Sequence, residues 1–337
     1  MLCAVRKLRF FIVLLLAALV FPSRALAWNP AGHMAIASIA YDELSPSRRQ
    51  ALVALLREHP RFAEDFKAVM PPDLTPEQLD RWIFMRASVW PDVARGIQGP
   101  DQQVYNRPAW HYIDLPVYLD ERTREKIHVP PFEFDYHKAS SEQSMNVVQA
   151  LKKAVDDLNN PATPRPKQAV ALCWVLHLAS DMHQPLHGAA LFSAERFRGI
   201  PIGDRGGNDI HVKENEGLLA MSNNANLHAL WDNILGTDDS YEAVMKLAQQ
   251  LATDHPRQSL SAPLSHTAPE DWARESNDAA QKVVYTPEIR AVVEAGEAQP
   301  HKPLPAVEIT DDYLKTGRAV AQTRAALAAY RTAALLQ

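Results

Sequence analysis

Cysteine and glycine are scarce in this 337-residue sequence, which contains 2 Cys and 12 Gly. Cys3 lies in an N-terminal apolar segment, and Cys173 lies in a second apolar stretch far along the chain. A single remaining cysteine cannot form an internal disulfide, so we expect no disulfide to stabilise the fold. We predict that Cys173 is buried as a small apolar side chain.

After residue 27 the sequence has no apolar run long enough to cross a bilayer. At the N-terminus, three basic residues precede twelve apolar residues, 10–21, and Ala25–Ala27 supplies a small-x-small cleavage pattern. Twelve apolar residues are too few for a membrane anchor. The sequence therefore predicts a signal peptide over residues 1–27, cleavage after Ala27, and export of a mature chain that begins at Trp28 to the periplasm or the medium.

Excess positive charge is absent as well. The formal net charge is −5 at pH 7, and loss of the signal peptide with its four basic residues would bring it to −9. Such a protein does not bind polyanions through its overall charge. If its substrate is anionic, the attraction has to be local, and bound cations are the obvious source.

Hydrophobic residues make up 47% of the sequence, which is enough for a sizeable core. Helical patterns dominate and no internal repeat is present, so we predict an all-α fold with at most one small β-hairpin, as a single domain over residues 28–337. We expect Pro91 to end one helix, which places Asp92 in a turn, and Ser140 with Gln143 to form the capping box of another. The predicted helices cover residues 30–44, 46–59, 77–90, 140–158, 167–182, 226–236, 241–253, 269–284 and 310–335.

The segment from His177 to His187, HLASDMHQPLH, concentrates three His and one Asp in eleven residues. On a helix His177 and Asp181 share one face, because they are four residues apart. Pro185 interrupts the helix, so His187 can turn back toward the same point. Imidazole and carboxylate groups that converge in this way suit zinc. The alternative is a helix C-terminus at which the His side chains interact with the last carbonyls.

Further potential ligands lie in other parts of the chain. His228 and Asp232, in NLHALWD, repeat the four-residue His/Asp spacing. A free α-amino group at Trp28 can bind a metal once it is deprotonated, and His33 lies about one turn into the first predicted helix. Alternatively, Trp28 is merely the residue at which processing stops. Two short segments complete the set, WPD with Asp92, followed by Arg95, and WHYID with His111, Tyr112 and Asp114.

Taken in order, these motifs and Gly206-Gly207-Asn208 closely resemble those of the zinc-dependent single-strand nucleases of the S1/P1 type, which are also 3′-nucleotidases. The resemblance runs from Trp28 to at least Asp232 and includes nine positions of ligand type. It implies a secreted phosphodiesterase that hydrolyses single-stranded DNA and RNA to 5′-phosphate products and also acts on nucleotides. It also implies the helical fold that these nucleases share with zinc phospholipase C.

The resemblance further implies three zinc ions per chain. Asp92, His111 and His177 would bind the first ion, and Asp181 would bridge it to the second. Trp28, through its amino and carbonyl groups, and His33 would complete the second site, and His187, His228 and Asp232 would hold the third ion. Water activated between the paired ions would attack phosphorus in line, while the third ion would stabilise the leaving 3′-oxygen.

The predicted catalytic residues are Asp92 and Arg95. Arg95 stands where the family has a Lys near the phosphate and would stabilise the equatorial oxygens, although a guanidinium fork is not equivalent to an ammonium group. By the same resemblance Tyr112 would stack on a nucleobase and Asp114 would hydrogen-bond the edge of that base. Both contacts need a splayed base, which explains a preference for single strands.

Two other functions remain open at this point. Zinc phospholipase C also begins at a processed Trp, but its last ligand is a Glu and its Trp-to-His spacing is longer than the five residues from Trp28 to His33. A non-catalytic zinc-binding exported protein is expected to carry His-rich tracts, which this sequence lacks. The absence of an Asn-x-Ser/Thr site and of a cysteine pair, unlike eukaryotic members, indicates a bacterial protein, which we predict to be a monomer.

The remaining histidines are not expected to bind metal. His183 lies two residues after Asp181 and so points to a different helix face, and His211 would alternate away from its neighbours in a short predicted strand. The others lack ligand spacing and are expected to be surface or capping residues: His59, His128, His137, His255, His266 and His301.

Overall fold

The architecture is given by a computed structural model that describes residues 28–220 and 225–337. The predicted signal peptide, residues 1–27, lies outside the described residues, so its cleavage stays a prediction. No helix within the described ranges is long and apolar enough to cross a membrane.

Most of the described chain is helical, which confirms the all-α prediction. The α-helices are α1 (Pro30–Asp42), α2 (Pro46–Leu56), α3 (Phe62–Asp65), α4 (Pro76–Ala94), α5 (Pro100–Tyr105), α6 (Glu121–Lys126), α7 (Val147–Asn159), α8 (Arg165–Asp181), α9 (Leu227–Asn233), α10 (Tyr241–Asp254), α11 (Ser261–Leu264), α12 (Pro269–Ala279), α13 (Pro287–Gly296) and α14 (Asp311–Leu335). Short 3-10 helices lie at Lys67–Val69, Pro108–His111, Tyr136–Lys138, Glu142–Ser144, Pro185–His187 and Arg257–Leu260, and a π-helical turn, Ala280–Val284, follows α12.

The strands are short and form two parallel pairs. β1 (Pro116–Tyr118) pairs with β2 (Ala190–Phe192), and β3 (Val212–Lys213) pairs with β4 (Val307–Glu308). These strands form no hairpin, which agrees with the prediction of at most one, and such parallel partners are distant in sequence without a local turn that marks them. The pairing of β1 with β2 brings the segment after His111 alongside the segment after His187.

Helix α8 is enclosed by other helices. It packs against α1, α4, α7 and α14, and α1 in turn packs against α4 and α14. One cluster of buried apolar side chains runs from Trp28 to Leu336, and it includes Cys173, which is fully buried as predicted. Because α8 is surrounded in this way, the polar side chains near its C-terminus are withdrawn from water.

The helix starts of the N-terminal region follow the sequence signals. The Asn29 side chain accepts the Gly32 backbone N–H at 3.0 Å, and the Ser45 hydroxyl accepts the Arg48 N–H at 3.3 Å. Proline follows each cap at the first helical position. Asn29 therefore fixes the start of α1 at Pro30, two residues after Trp28.

Helix α4 does not end at Pro91, so the predicted turn at Asp92 was wrong. The helix continues through Pro91 to Ala94 and carries Asp92 in its last turn. Proline removes one backbone hydrogen bond from a helix interior. The fully buried Trp90 and Ala94 anchor the segments on either side of Pro91, so tertiary packing overrides the local penalty.

Helix α7 begins at Val147, seven residues later than predicted. Its N-cap is Asn146, whose side chain accepts the N–H groups of Val148 and Gln149, while the Gln149 side chain accepts the Asn146 N–H. Ser140 is not a cap of this helix. Both positions are followed by Gln three residues later, and burial of Val147 and Val148 selects the second start.

We predict that Asn146→Ala lowers the free energy of unfolding by about 1 kcal/mol, because two backbone N–H groups lose their acceptor. Ser140→Ala is the matched control and should change it by less than about 0.5 kcal/mol. Urea denaturation of the two variants measures both values. Equal losses in the two variants would contradict the assignment of the cap.

Candidate metal centre

Three groups of buried His and Asp side chains surround the C-terminal end of α8. Within each group, one ligand-type atom per residue lies within 4.8 Å of the others. The first group is Asp92, His111 and His177; the second is His33, His177 and Asp181; the third is His187, His228 and Asp232. The structure thus brings together eight of the nine predicted ligands, and their binding of metal stays a prediction.

The eight side chains come from six segments that the helical core holds together. The four-residue spacing places His177 and Asp181 on one face of α8, and it does the same for His228 and Asp232 on α9. Pro185 follows the end of α8 and opens a 3-10 turn that ends at His187. The other three side chains are His33 on α1, Asp92 on α4 and His111 at the end of the 3-10 turn Pro108–His111.

The first group is compact. His177 Nε2 lies 2.9 Å from His111 Nδ1, and both of these nitrogens lie 3.9 Å from Asp92 Oδ1. All three side chains are at most 8% exposed. Two imidazole nitrogens and one carboxylate oxygen around one point form a donor set that zinc accepts, with positions left for other ligands.

The carboxylate of Asp181 faces two groups with different oxygens. Its Oδ2 lies 3.1 Å from both His111 Nδ1 and His177 Nε2, and its Oδ1 lies 3.3 Å from His33 Nε2. Asp181 is fully buried. A carboxylate in this position can bridge two cations, one on each oxygen.

The third group lies beside the first. His228 Nε2 is 3.1 Å from His187 Nε2, and the carboxylate of Asp232 is 3.7 Å from His228 Nε2 and 3.9 Å from His187 Nε2. His187 Nδ1 is also 3.8 Å from Asp181 Oδ2. The third group is therefore connected to the shared carboxylate.

Backbone carbonyls orient three of the imidazoles. The Nδ1–H groups of His177, His187 and His228 donate to the carbonyl oxygens of Ser88, His111 and Gly206, at 2.7, 2.6 and 2.6 Å. Because a carbonyl oxygen only accepts, these bonds fix the tautomer and leave each Nε2 with a lone pair that faces its group.

This tautomer assignment makes a cation the natural occupant of the third group. When His187 and His228 are neutral, neither Nε2 has a proton to share across their 3.1 Å separation. Two nitrogen ligands of a tetrahedral zinc ion are about 3.3 Å apart. The spacing therefore fits two ligands of one ion.

Several buried polar atoms of these groups have no hydrogen-bond partner. They include both ring nitrogens of His33, Oδ1 of Asp92 and Oδ1 of Asp181. Buried polar atoms are normally satisfied, and an ion is one recognised explanation when they are not. The donor set and its unsatisfied atoms therefore fit zinc.

The charge states favour metal binding at Asp181 and His111. Burial raises the pKa of Asp181, but His177, His111 and His33 outweigh that effect and hold this pKa well below its usual range. Burial lowers the pKa of His111 to about 4 and also lowers the pKa of His33. An ionised carboxylate and neutral imidazoles are the forms that bind zinc.

His177 differs in this respect. Burial acts to lower its pKa, but the carboxylates of Asp181 and Asp92 outweigh burial and raise it. Zinc at the first group therefore competes with a proton on His177.

Residue 28 is held between the second and third groups. The indole N–H of Trp28 donates to the Ser180 carbonyl at 3.1 Å, next to Asp181, and the Asn29 N–H donates to the Asp232 carbonyl at 3.0 Å. The Trp28 side chain is fully buried. These contacts hold Trp28 next to Asp181 and Asp232, and metal binding by its amino group stays a prediction that depends on the predicted cleavage.

The predicted substrate residues lie around the first group. Arg95 Nη1 is 3.6 Å from Asp92 Oδ1, and Tyr112 directly follows His111 with 39% of its surface exposed. Burial and the carboxyl group of Asp114 raise the pKa of the Tyr112 hydroxyl, and the charges of Arg205 and Arg95 oppose this shift. An exposed aromatic ring beside the first group is of the kind on which a nucleobase can stack.

Asp114 is buried, unlike Tyr112. Burial and the nearby carboxyl group of Asp204 raise its pKa to about 8, with Arg205 opposing the shift. At neutral pH Asp114 is therefore a carboxylic acid, which offers one donor and one acceptor to a base edge.

Asp204 belongs to no motif recognised in the sequence, yet it holds the loop that carries Gly206. The buried Asp204 carboxylate accepts the Leu191 N–H at 2.8 Å and the Tyr285 O–H at 2.9 Å, which fixes the loop to β2. Gly206 has a φ of 60°, and a Cβ there would lie 2.5 Å from the Leu186 carbonyl oxygen. Only glycine fits at position 206, so only glycine can place the carbonyl of residue 206 against His228 Nδ1. The available signal was an Asp two residues before a Gly-Gly pair.

His183 lies outside the three groups, as predicted. Its Nδ1–H donates to the Ala179 carbonyl at 2.7 Å, and its Nε2 accepts from Arg331 at 2.8 Å. Arg331 and Arg324 share the carboxylate of Glu275. This network joins the end of α8 to α12 and α14.

His59 was expected near the surface, and this was wrong. It is 3% exposed, and its ring lies 4.3 Å from that of Trp90. Its Nδ1 accepts the backbone N–H of Arg61 at 3.1 Å, in the turn that precedes α3. No ligand spacing distinguishes such a buried His in sequence.

Comparison with known proteins agrees with this geometry. The family model of the S1/P1 nucleases matches residues 28–337. Endonuclease 3 of Arabidopsis thaliana is 25% identical over 298 residues, an alignment that covers 83% of this chain and 82% of the plant protein. The matched range includes every residue of the three groups.

We predict that Asp114→Asn stabilises the protein increasingly as the pH rises. The folded-state pKa of Asp114 is about 8, whereas an unfolded Asp ionises near pH 4. Its contribution to stability is therefore fully present below about pH 4 and is lost as the pH approaches about 8. Between pH 5 and 8, the unfolding free energy of the variant relative to wild type should rise by about 2–4 kcal/mol.

Chemical denaturation at several pH values provides the measurement. Glu125→Gln removes an exposed carboxylate and serves as the control, for which the difference should stay nearly constant. A constant difference for Asp114→Asn as well would mean that Asp114 is ionised in the folded protein at neutral pH.

Proposed function

The chain belongs to the S1/P1 nuclease family, and on that premise we propose that it is an exported enzyme with three zinc ions that cleaves single-stranded DNA and RNA to 5′-phosphate products. We also propose that it removes the 3′-phosphate of nucleotides. Membership makes the protein a nuclease hydrolase of a zinc-dependent family, with nucleic acids as substrates. The observation that carries the finer proposal is the set of three adjacent His/Asp groups around Asp181.

We assign the ligands group by group. Asp92, His111 and His177 would hold the first ion, Trp28, His33 and Asp181 the second, and His187, His228 and Asp232 the third, with Asp181 also reaching the first. The opposed directions of Asp181 Oδ1 and Oδ2 support the bridge. When bound, zinc acidifies water and stabilises negative charge on phosphate oxygens.

The protein's own side chains then orient the substrate. Arg95, whose Nη1 lies 3.6 Å from Asp92 Oδ1, would bind the equatorial phosphate oxygens of a nucleotide at the first group. The exposed ring of Tyr112 would stack on the neighbouring base, and Asp114 would pair with the edge of that base. A paired base in a duplex offers neither its face nor its edge, so these contacts favour single strands.

The activity assay compares single-stranded DNA, the same sequence as a duplex, a 3′-nucleotide and phosphatidylcholine. We expect cleavage of the single strand and the 3′-nucleotide, with 5′-phosphate ends on the cut DNA, and complete loss after chelation of zinc. Hydrolysis of the lipid without hydrolysis of DNA would favour a phospholipase instead.

Asp181→Asn tests the bridge in the same preparation. It should lose zinc from two groups and reduce activity by at least about 100-fold, because one carboxylate is proposed to serve two ions. Asp65→Asn is the control, since Asp65 is also a buried carboxylate but accepts from Trp90 and Arg61. Three zinc ions retained in Asp181→Asn would contradict the bridging role.

The proposed role of the Trp28 amino group is tested by extending the N-terminus of the mature chain. One glycine added before Trp28 should reduce both the zinc content and the activity, because an amide nitrogen is not a metal ligand of the same kind. The control adds one glycine after Gln337. Full activity with three zinc ions in the N-terminally extended protein would remove Trp28 from the site.

A further inference from the structure

We propose that Gln184 is a positioning residue that holds the carboxylate of Asp232 for the cation of the third group. This inference rests on the proposed function and adds to it a residue that is not among the proposed metal ligands. Gln184 is fully buried, and its Nε2 donates to Asp232 Oδ1 at 2.7 Å. The contact joins residues 48 positions apart in sequence.

The orientation of the Gln184 amide is determined by its partners. Its Oε1 accepts the backbone N–H of Leu186, and a backbone N–H can only donate. The NH₂ group must therefore face Asp232, which accepts through Oδ1. A reversed amide would place two donors together on one side and two oxygens together on the other.

This hydrogen bond selects one orientation of the Asp232 carboxylate. With Oδ1 held by the amide, Oδ2 is directed toward His228 Nε2, at 3.7 Å. The Asp232 main chain is fixed separately, because its carbonyl accepts the Asn29 N–H at 3.0 Å. The hydrogen bond from Gln184 therefore restricts rotation of the Asp232 carboxylate about its Cβ–Cγ bond.

Gln184 also ties the third group to the shared carboxylate. Its backbone N–H donates to the Asp181 carbonyl at 2.9 Å, and its own carbonyl accepts the His187 N–H at 3.0 Å. One residue therefore contacts the main chain of the bridging Asp181, the main chain of His187 and the side chain of Asp232. Partners of this kind typically change metal affinity by about 10–100-fold when they are removed.

The test replaces Gln184 with methionine, which has a similar shape but neither donates nor accepts as an amide does. The matched control is Gln149→Met. Gln149 is buried and also bonds through both amide atoms, to Asn146 N–H and the Asp135 carbonyl, away from the three groups. Titration with a chromogenic chelator gives the number of zinc ions and the dissociation constant of the weakest.

We expect Gln184→Met to keep two zinc ions and to bind the third at least about 10-fold more weakly, while Gln149→Met keeps three at the affinity of wild type. In a His228→Ala background, which lacks a third-group ligand, Gln184→Met should cause no further loss of zinc. Unchanged third-ion affinity in Gln184→Met, an equal loss in Gln149→Met, or additional loss in the His228→Ala background would each overturn the inference.

Two further outcomes keep the test decisive. If Gln184→Met does not fold, Gln184→Asn replaces it, because its shorter amide cannot reach both Leu186 and Asp232; unchanged third-ion affinity in that variant overturns the inference. If the wild type itself binds no zinc, the proposed function fails, and the role of Gln184 fails with it. If the wild type binds three zinc ions but the Gln184 variants bind the third ion as tightly, only the role of Gln184 fails and the proposed function stands.

Discussion

The carboxylate of Asp181 is the constraint on which the rest of the structure depends. A fully buried charge is costly unless other charges or hydrogen bonds compensate it. Here His111 and His177 lie 3.1 Å from Asp181 Oδ2, and His33 lies 3.3 Å from Oδ1. These histidines come from α1, from a 3-10 turn and from α8. The packing of those elements therefore also sets the geometry of the site. The hydrophobic core around α8 holds the three histidines next to Asp181.

Asp181 is also one of three acidic side chains that make the local charge of the site negative when no cation is bound. Asp92, Asp181 and Asp232 place three carboxylates beside one another in a chain whose formal charge is −5. An anionic phosphate would be repelled by such a surface. The three proposed divalent ions would bring about six positive charges and reverse the local field, which would link substrate binding to metal binding. The guanidinium of Arg95, 3.6 Å from Asp92 Oδ1, adds positive charge beside the first group.

Two of the His/Asp pairs in the three groups could be predicted from sequence because their spacing is local, and the other members were predicted from the family resemblance. His177 with Asp181 and His228 with Asp232 are helical pairs, and Asn29-Pro30 marks the start of α1. Interactions between distant residues could not be predicted in the same way. The carbonyls of Ser88 and Gly206, the amide of Gln184 and the parallel pairing of β1 with β2 all depend on tertiary contacts. The helix end predicted at Pro91 was wrong because packing of Trp90 and Ala94 outweighs a rule that is valid for an isolated helix.

The most direct test of the account is crystallography of the mature protein, beginning at Trp28, at X-ray energies on both sides of the zinc absorption edge. The account predicts three anomalous peaks, one in each His/Asp group, with Asp181 in contact with two of them. A map with no peak in these groups, or with a single peak that Asp181 does not contact, would contradict it.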